Sequence, residues 1–203
     1  MDIRSVNNFF GDIDMDLLDM ILKGHFEDQN KILEIGCGGG RNLIHFLQTA
    51  FDLYAIDTDP SAVEMARFIY REMNIDPTGK ILTEDISSTS FDDGFFDSVI
   101  CSRVLHFSED ETSFKSKWNE ISRILKSDGV LYCTMDSMIG FENYVTKVDS
   151  SKWKFSDGTI RFLLSEELLR KIEIERDYEY IEILKTIHYG DKHAQSILKL
   201  RKK

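Results

Sequence analysis

Apolar positions along this chain follow two rhythms. Short, largely apolar runs at 32–35, 53–56, 81–82, 95–101 and 130–135 read as buried strands. Between them, apolar residues recur at helical spacing. Residues 12–25 carry Leu17, Leu18, Ile21 and Leu22 on one stripe, with acidic residues in the first turn and Gly24 near the end. Phe9 and Phe10 just before it read as core. Residues 41–49 would bury Leu43, Ile44 and Leu47. Residues 60–73 begin with Pro60, suited to a first helical position. Residues 111–125 place Phe114, Trp118, Ile121 and Leu125 on one face. Strands alternating with helices predict an α/β fold with a parallel sheet and right-handed crossovers.

The last quarter breaks this alternation. Residues 153–164 read as a β-hairpin turning at Asp157-Gly158, and 165–174 as a helix capped by Ser165. Two strands follow, at 178–188 and 194–200, joined at Gly190-Asp191. They are expected to close the parallel sheet as an antiparallel pair. No repeat or linker divides the chain, so residues 1–203 are expected to form one domain, with 1–29 as a helical cap and 136–175 as a lid and hairpin insertion.

The rest of the pattern is organised around residues 31–43, KILEIGCGGGRNL: a strand, a glycine-rich turn and the start of a helix. Glycines let the main chain approach a ligand closely, and a helix start offers unpaired N–H groups. Ligands of open α/β sheets sit at the carboxyl ends of the strands. Three carboxylates stand at successive strand ends: Glu34, Asp57 and Asp85. The dinucleotide fingerprint needs a third glycine where Arg41 stands, and no Gly-Lys-Ser/Thr follows for a P-loop. The row of carboxylates suits instead a nucleoside with a positive charge. Asp57 is placed to accept ribose hydroxyls and Asp85 an exocyclic amine.

Composition narrows the partners. The formal charge of −11 argues against nucleic acid, whose binders carry a basic face. No apolar run reaches the length of a membrane span, and the first residues resemble no export signal. Cys37, Cys101 and Cys133 fit neither a zinc site nor a disulfide frame, so no metal is expected and the thiols are expected to be reduced in a cytoplasmic protein.

Taken in order, LEIGCGGG, AIDTDPSAVEMAR, EDI, FDSVICSRVLHF and EISRILKSDGVLYCTM resemble the consecutive motifs of class I S-adenosylmethionine-dependent methyltransferases. The resemblance covers residues 30–135, with a weaker fit of the closing strands. It is greatest to small stand-alone bacterial members, including those associated with tellurite resistance and quinone methylation. It implies a Rossmann-like, doubly wound, seven-stranded sheet with the last strand antiparallel. It implies that Glu34 orients the amino end of S-adenosylmethionine and that Gly36, Cys37 and Gly38 line its methionine part. Asp57 would hold the ribose, Thr58 would flank the adenine, Asp85 would meet its amine and Ile86 would pack on the ring. Cys101, Ser102 and Val104 would pass the sulfonium.

Methyl transfer from a sulfonium is an in-line displacement that needs mainly alignment and a dry pocket. The chain has no Asn-Pro-Pro-Tyr run after the fourth strand and no Pro-Cys nucleophile, which favours a small-molecule acceptor over a nucleic acid or protein amide. His106 is the candidate base. Arg103, Asp136 and Arg161 are candidate acceptor contacts, and Phe141, Tyr144 and Trp153 are candidate pocket walls that would serve equally as a satellite core. The hairpin and the N-terminal helix are expected to close over the site. The rival is a catalytically silent S-adenosylmethionine-binding module acting as a sensor or partner subunit. Monomer and homodimer both stay open.

Overall fold

The computed structural model describes residue 2 and residues 10–27, 30–49, 51–172 and 174–203, with only the backbone of residue 175. Phe9 and most of the expected cap before residue 10 lie outside the described residues. In chain order the first elements are α1 (Met15–Leu22), β1 (Lys31–Ile35), α2 (Leu43–Leu47), β2 (Asp52–Asp57), α3 (Pro60–Glu72), β3 (Ile81–Thr83), β4 (Phe96–Ser102) and α4 (Glu111–Ile124). Then follow β5 (Leu125–Asp136), β6 (Val145–Lys147), β7 (Trp153–Phe155), β8 (Ile160–Arg161), α5 (Glu166–Lys171), α6 (Ile174–Asp177), β9 (Tyr178–Tyr189) and β10 (His193–Lys202).

A seven-stranded sheet runs in the order β3-β2-β1-β4-β5-β10-β9. The first five strands pair in parallel, and β10 inserts antiparallel between β5 and β9. The reversal of direction between β2–β1 and β1–β4 puts a crevice above the carboxyl end of β1, the usual ligand position in such sheets. This is the mostly parallel, doubly wound architecture that the strand–helix alternation predicts.

Both faces of the sheet are covered, because neighbouring strand residues point to opposite sides. Ile32, Ile100 and Tyr132 face α1, α2 and α3, where Leu17, Phe46 and Val63 are buried. Leu33, Val99 and Leu131 face α4 and α5, where Phe114, Trp118 and Leu168 are buried. The caps are local: Asp59 accepts the Ser61 N–H with Pro60 next to it, Asp110 accepts the Ser113 N–H, and Ser165 accepts the Leu168 N–H. Helix α1 is shorter than its pattern predicts. Asp14 caps it, Lys23 ends it, and Gly24 follows with φ of 75°. Leu22 falls off the buried stripe and is exposed, while Met20 is fully buried. Ile44 is only half-buried; Phe46 takes the core position on α2 instead.

The predicted hairpin forms, with Gly158 N–H bonded to the Phe155 carbonyl, but it carries a third strand, β6. Phe141, Phe155, Leu163 and Ala194 make a small core beneath it, and Trp153 packs against that core. Of the two uses open to these aromatics, Phe141 and Trp153 serve the satellite core. Tyr144 is half-exposed and stacks on Phe141. The hairpin is tied to the sheet by Leu164 N–H to the Asp136 carbonyl and Phe162 N–H to the His106 carbonyl. No helix among the described residues is long and apolar enough to cross a membrane.

A charge network holds α1 to the far end of the sheet. Lys199 reaches Asp19 at 2.9 Å and Glu182 at 2.8 Å, and Lys23 bridges the same two carboxylates at 2.7 Å each. Lys199 is almost fully buried, and its removal leaves Asp19 and Glu182 to share the single charge of Lys23. Lys199→Met is expected to destabilise the protein by about 1–2 kcal/mol, less than for a fully buried pair because both carboxylates stay partly solvated. Urea unfolding monitored by circular dichroism checks this.

Candidate cofactor and acceptor site

The glycine turn after β1 is built with its amides turned inward. The Gly36 and Cys37 N–H groups donate to the Ile56 carbonyl at 2.8 and 3.2 Å. The Gly40 N–H donates to the Cys37 carbonyl at 2.9 Å, and the Gly38 N–H to Asp57 Oδ2 at 2.9 Å. Gly36 has φ of 68°, and a Cβ there would sit 2.4 Å from a Val104 methyl, so only glycine fits. Helix α2, which follows the turn, is only five residues long. Four N–H groups of the turn are thus taken up inside the protein.

Its polar features are carboxylates. Glu34 is buried; Asn42 Nδ2 donates to its Oε1 at 2.7 Å, and its Oε2 has no partner among the described residues. Burial pushes the Glu34 carboxyl up to about 7, against the pull of Asn42 and of the Arg41 charge. Asp57 is held by two backbone donors, Gly38 N–H and Asp59 N–H, the latter at 3.0 Å. Two accepted bonds leave further lone pairs free on that carboxylate. Asp85 is exposed at the end of β3 and accepts the Ser87 N–H at 2.7 Å; the Ser87 side chain first, and then this N–H, hold its carboxyl below the ordinary range. A cleft of about 290 Å³ joins Gly36, Asp57, Thr58, Asp85, Ile86 and Val104. An orphaned buried oxygen and a fixed carboxylate around a close-approach glycine fit a cationic nucleoside such as S-adenosylmethionine.

Five of the predicted cofactor residues do not line that cleft: Glu34, Gly38, Cys37, Cys101 and Ser102. Cys101 is fully buried below it against Cys133, and this contact and burial raise its thiol pKa. The Cys37 side chain also faces the core, where burial pushes its thiol up to about 12. Ser102 turns toward Thr134 and Asp14, at 3.2 and 3.4 Å.

A second cleft, of about 370 Å³, adjoins the first through Arg103, which lines both. It holds Asp136 and Arg161, and the sequence analysis missed its other members, among them Thr159, Tyr189 and His193. Asp136 is buried at the end of β5, and His193 Nε2 and His106 Nδ1 lie 3.1 and 3.3 Å from its Oδ1. Burial raises the Asp136 carboxyl despite the positive groups around it. His106 lies beneath this cleft, 2% exposed, and its Nδ1 accepts the Asp136 backbone N–H at 3.3 Å. Burial, and then the charges of Arg161 and Arg103, push its imidazole down to about 3. His106 is thus a neutral ring whose lone pair is already engaged.

Asp14 and Asn42 also escaped the sequence analysis. The Asp14 N–H donates to Asn42 Oδ1 at 3.0 Å, while its carboxylate accepts from Tyr132 Oη at 2.8 Å and caps α1. Asn42 therefore links α1 to Glu34. An acidic cap before a helix was legible; its reach across the sheet was not.

Glu34 binds a proton more readily in the folded chain, with its carboxyl moved from 4.5 to about 7. That contribution to stability is fully present below the unfolded value and is lost as pH rises through the folded one. Asn42→Ala removes the donor that eases the charged form. The variant is expected to lose about 1–3 kcal/mol at pH 8 and less at pH 5 in denaturant melts. Equal losses at both would assign Asn42 to Asp14 alone.

Residues 33–133 match the family described as methyltransferase domain. YqeM of Bacillus subtilis (strain 168) is 24% identical over 111 residues, covering 54% of this chain and 44% of that protein. The chain spans less than half the length of the curated relatives it matches. An S-adenosylmethionine-dependent methyltransferase of Methanosarcina mazei superposes with a TM-score of 0.69 at 20% identity, covering 90% of this chain and 96% of that one. The 1,6-didemethyltoxoflavin-N1-methyltransferase of Burkholderia thailandensis, solved with 1,6-didemethyltoxoflavin and S-adenosylhomocysteine, superposes with a TM-score of 0.64 at 15% identity, covering 98% and 83%. These two likenesses are of fold. Residues 33–133 are a methyltransferase domain, carried on a fold shared with S-adenosylmethionine-dependent methyltransferases.

Proposed function

We propose that this protein transfers a methyl group from S-adenosylmethionine to a small-molecule acceptor by in-line displacement, releasing S-adenosylhomocysteine. The observation that carries this reading is the cradle at the end of β1. The amides of Gly36, Cys37, Gly38 and Gly40 are committed inward, Glu34 keeps one unpartnered buried oxygen, and Asp57 is fixed in place by two N–H groups. Such a surface favours a ligand with an ammonium and neighbouring hydroxyls.

When bound, the cofactor supplies an electrophilic methyl on a sulfonium, whose electron pair stays on sulfur after displacement. The chain's own residues bind and align. Glu34 would attract the ammonium, directly or through the loop. The main chain of Gly36, Cys37 and Gly38 would line the methionine part by its carbonyls. Asp57 would accept the ribose hydroxyls, Asp85 the adenine amine, and Ile86 and Thr58 would flank the ring. Val104, pressed against Gly36, would set how deep the methionine part sits. No proton acceptor is needed for an acceptor atom that already carries its lone pair. Where one is needed, His193 is better placed than His106: it is partly exposed in the second cleft, and Asp136 lies 3.1 Å from its Nε2. His106 is assigned to holding the end of β5.

A small acceptor is supported by the size of the second cleft and by the negative charge of the chain. The fold neighbour from Burkholderia thailandensis, by its name a methyltransferase of 1,6-didemethyltoxoflavin, is consistent with it.

Asp57→Ala is expected to weaken S-adenosylhomocysteine binding about 100-fold by calorimetry, through the loss of charge-assisted hydrogen bonds and of the loop's anchor. An ammonium near Glu34 lowers its carboxyl from about 7, so binding at pH 7 should release about half a proton. Titrations in two buffers of different ionisation enthalpy measure this release. It should vanish in Glu34→Gln; its absence in the unsubstituted protein would remove Glu34 from the cofactor site.

A further inference from the structure

We propose that the second cleft is the acceptor subsite and takes an anionic small molecule, its oxyanion group held between Arg103 and Arg161. This rests on the methyl-transfer reading above.

Arg103 stands where the two clefts meet. Its backbone is left-handed, with φ of 63°, a conformation that costs free energy for a residue with a Cβ. Its N–H holds that conformation by donating to the Thr134 carbonyl at 2.8 Å and Oγ1 at 3.2 Å. The guanidinium itself has no hydrogen-bond or ion-pair partner among the described residues closer than 4 Å. Backbone strain thus places an uncommitted guanidinium at the junction.

Arg161 comes from the hairpin and lies over the Phe107 ring, 4.8 Å from its centroid. Its Nε is buried without a hydrogen bond, and the Asp136 oxygen nearest to it is 3.8 Å away, too far for one. A buried charged donor left unmade is costly unless a ligand completes it.

Two carboxylates share the second cleft with this pair, and neither closes a hydrogen bond on it. Asp136 is shared with His193 and its carboxyl is raised by burial, and Asp157 is engaged by the Thr159 N–H at 2.8 Å in the hairpin turn. The first cleft sets Asp57, Glu84 and Asp85 against Arg103 and Lys117, and the second sets Arg103 and Arg161 against Asp136 and Asp157, in a chain of net charge −11. A cationic methyl donor in one and an anionic acceptor in the other would attract across the junction. Arginine's planar fork suits carboxylate and phosphate groups equally.

The test uses the full chain saturated with S-adenosylhomocysteine, titrated with benzoate, phenyl phosphate and benzamide while the arginine Nε–H resonances are followed by NMR. Benzoate or phenyl phosphate should bind at least tenfold more tightly than benzamide and shift the resonances of Arg103 and Arg161. Arg161→Met should abolish the preference while keeping S-adenosylhomocysteine affinity within twofold, and Arg161→Lys should keep part of it. Equal binding of benzamide, or no binding of either anion by the saturated unsubstituted protein, overturns the proposal. If S-adenosylhomocysteine itself does not bind, the methyl-transfer reading fails; the same benzoate-against-benzamide comparison on the free protein then decides the anion subsite alone.

Discussion

The site depends on one buried carboxylate. Glu34 sits at the end of the central strand with apolar neighbours, where a charge is costly unless something compensates it. Asn42 compensates part of that cost through one oxygen. To do so it gives up capping α2, which starts without a side-chain hydrogen bond. The other end of the Asn42 amide takes the Asp14 N–H, so the start of α1 is set by the same group. The glycine turn, the first helix and the strand end are thus one hydrogen-bonded unit.

The sheet supplies the rest by register. Pairing of β1 with β2 and β4 sets Glu34 beside Ala55 and Ile100, and brings Asp57 to the Gly38 amide. The parallel strands all end on one side, so carboxylates separated widely in sequence meet there. The second cleft is made differently. Its groups come from the β4 exit, the end of β5, the hairpin and the start of β10, and the backbone bonds from Phe162 to His106 and from Leu164 to Asp136 hold those pieces together.

This difference explains what could be read from the sequence. The strand–helix alternation, the hairpin at Asp157-Gly158 and the row Glu34, Asp57 and Asp85 are local signals, each carried by residue types near one another in the chain. The insertion of β10 beside β5 was legible only through the family resemblance, because periodicity says nothing of strand order. Asp14 and His193 were missed because each acts on a partner distant in sequence, and neither position has an unusual local pattern. Cys101 was placed beside the ligand by the family resemblance, and His106 by its position after the fourth strand. Alternation along β4 turns Cys101 into the core, and the short 3₁₀ turn Leu105–Phe107 tucks His106 under the loop while leaving Phe107 outside.

Strand β10 begins at His193 in the second cleft and carries Lys199, the clamp on α1, and it lies between two strands that precede it in the chain. During translation, β5 therefore emerges well before its antiparallel neighbour and carries an open edge until that neighbour is made. An open edge of this kind invites pairing with other chains. The first cleft draws only on residues made before this interval, whereas the second needs the start of β10.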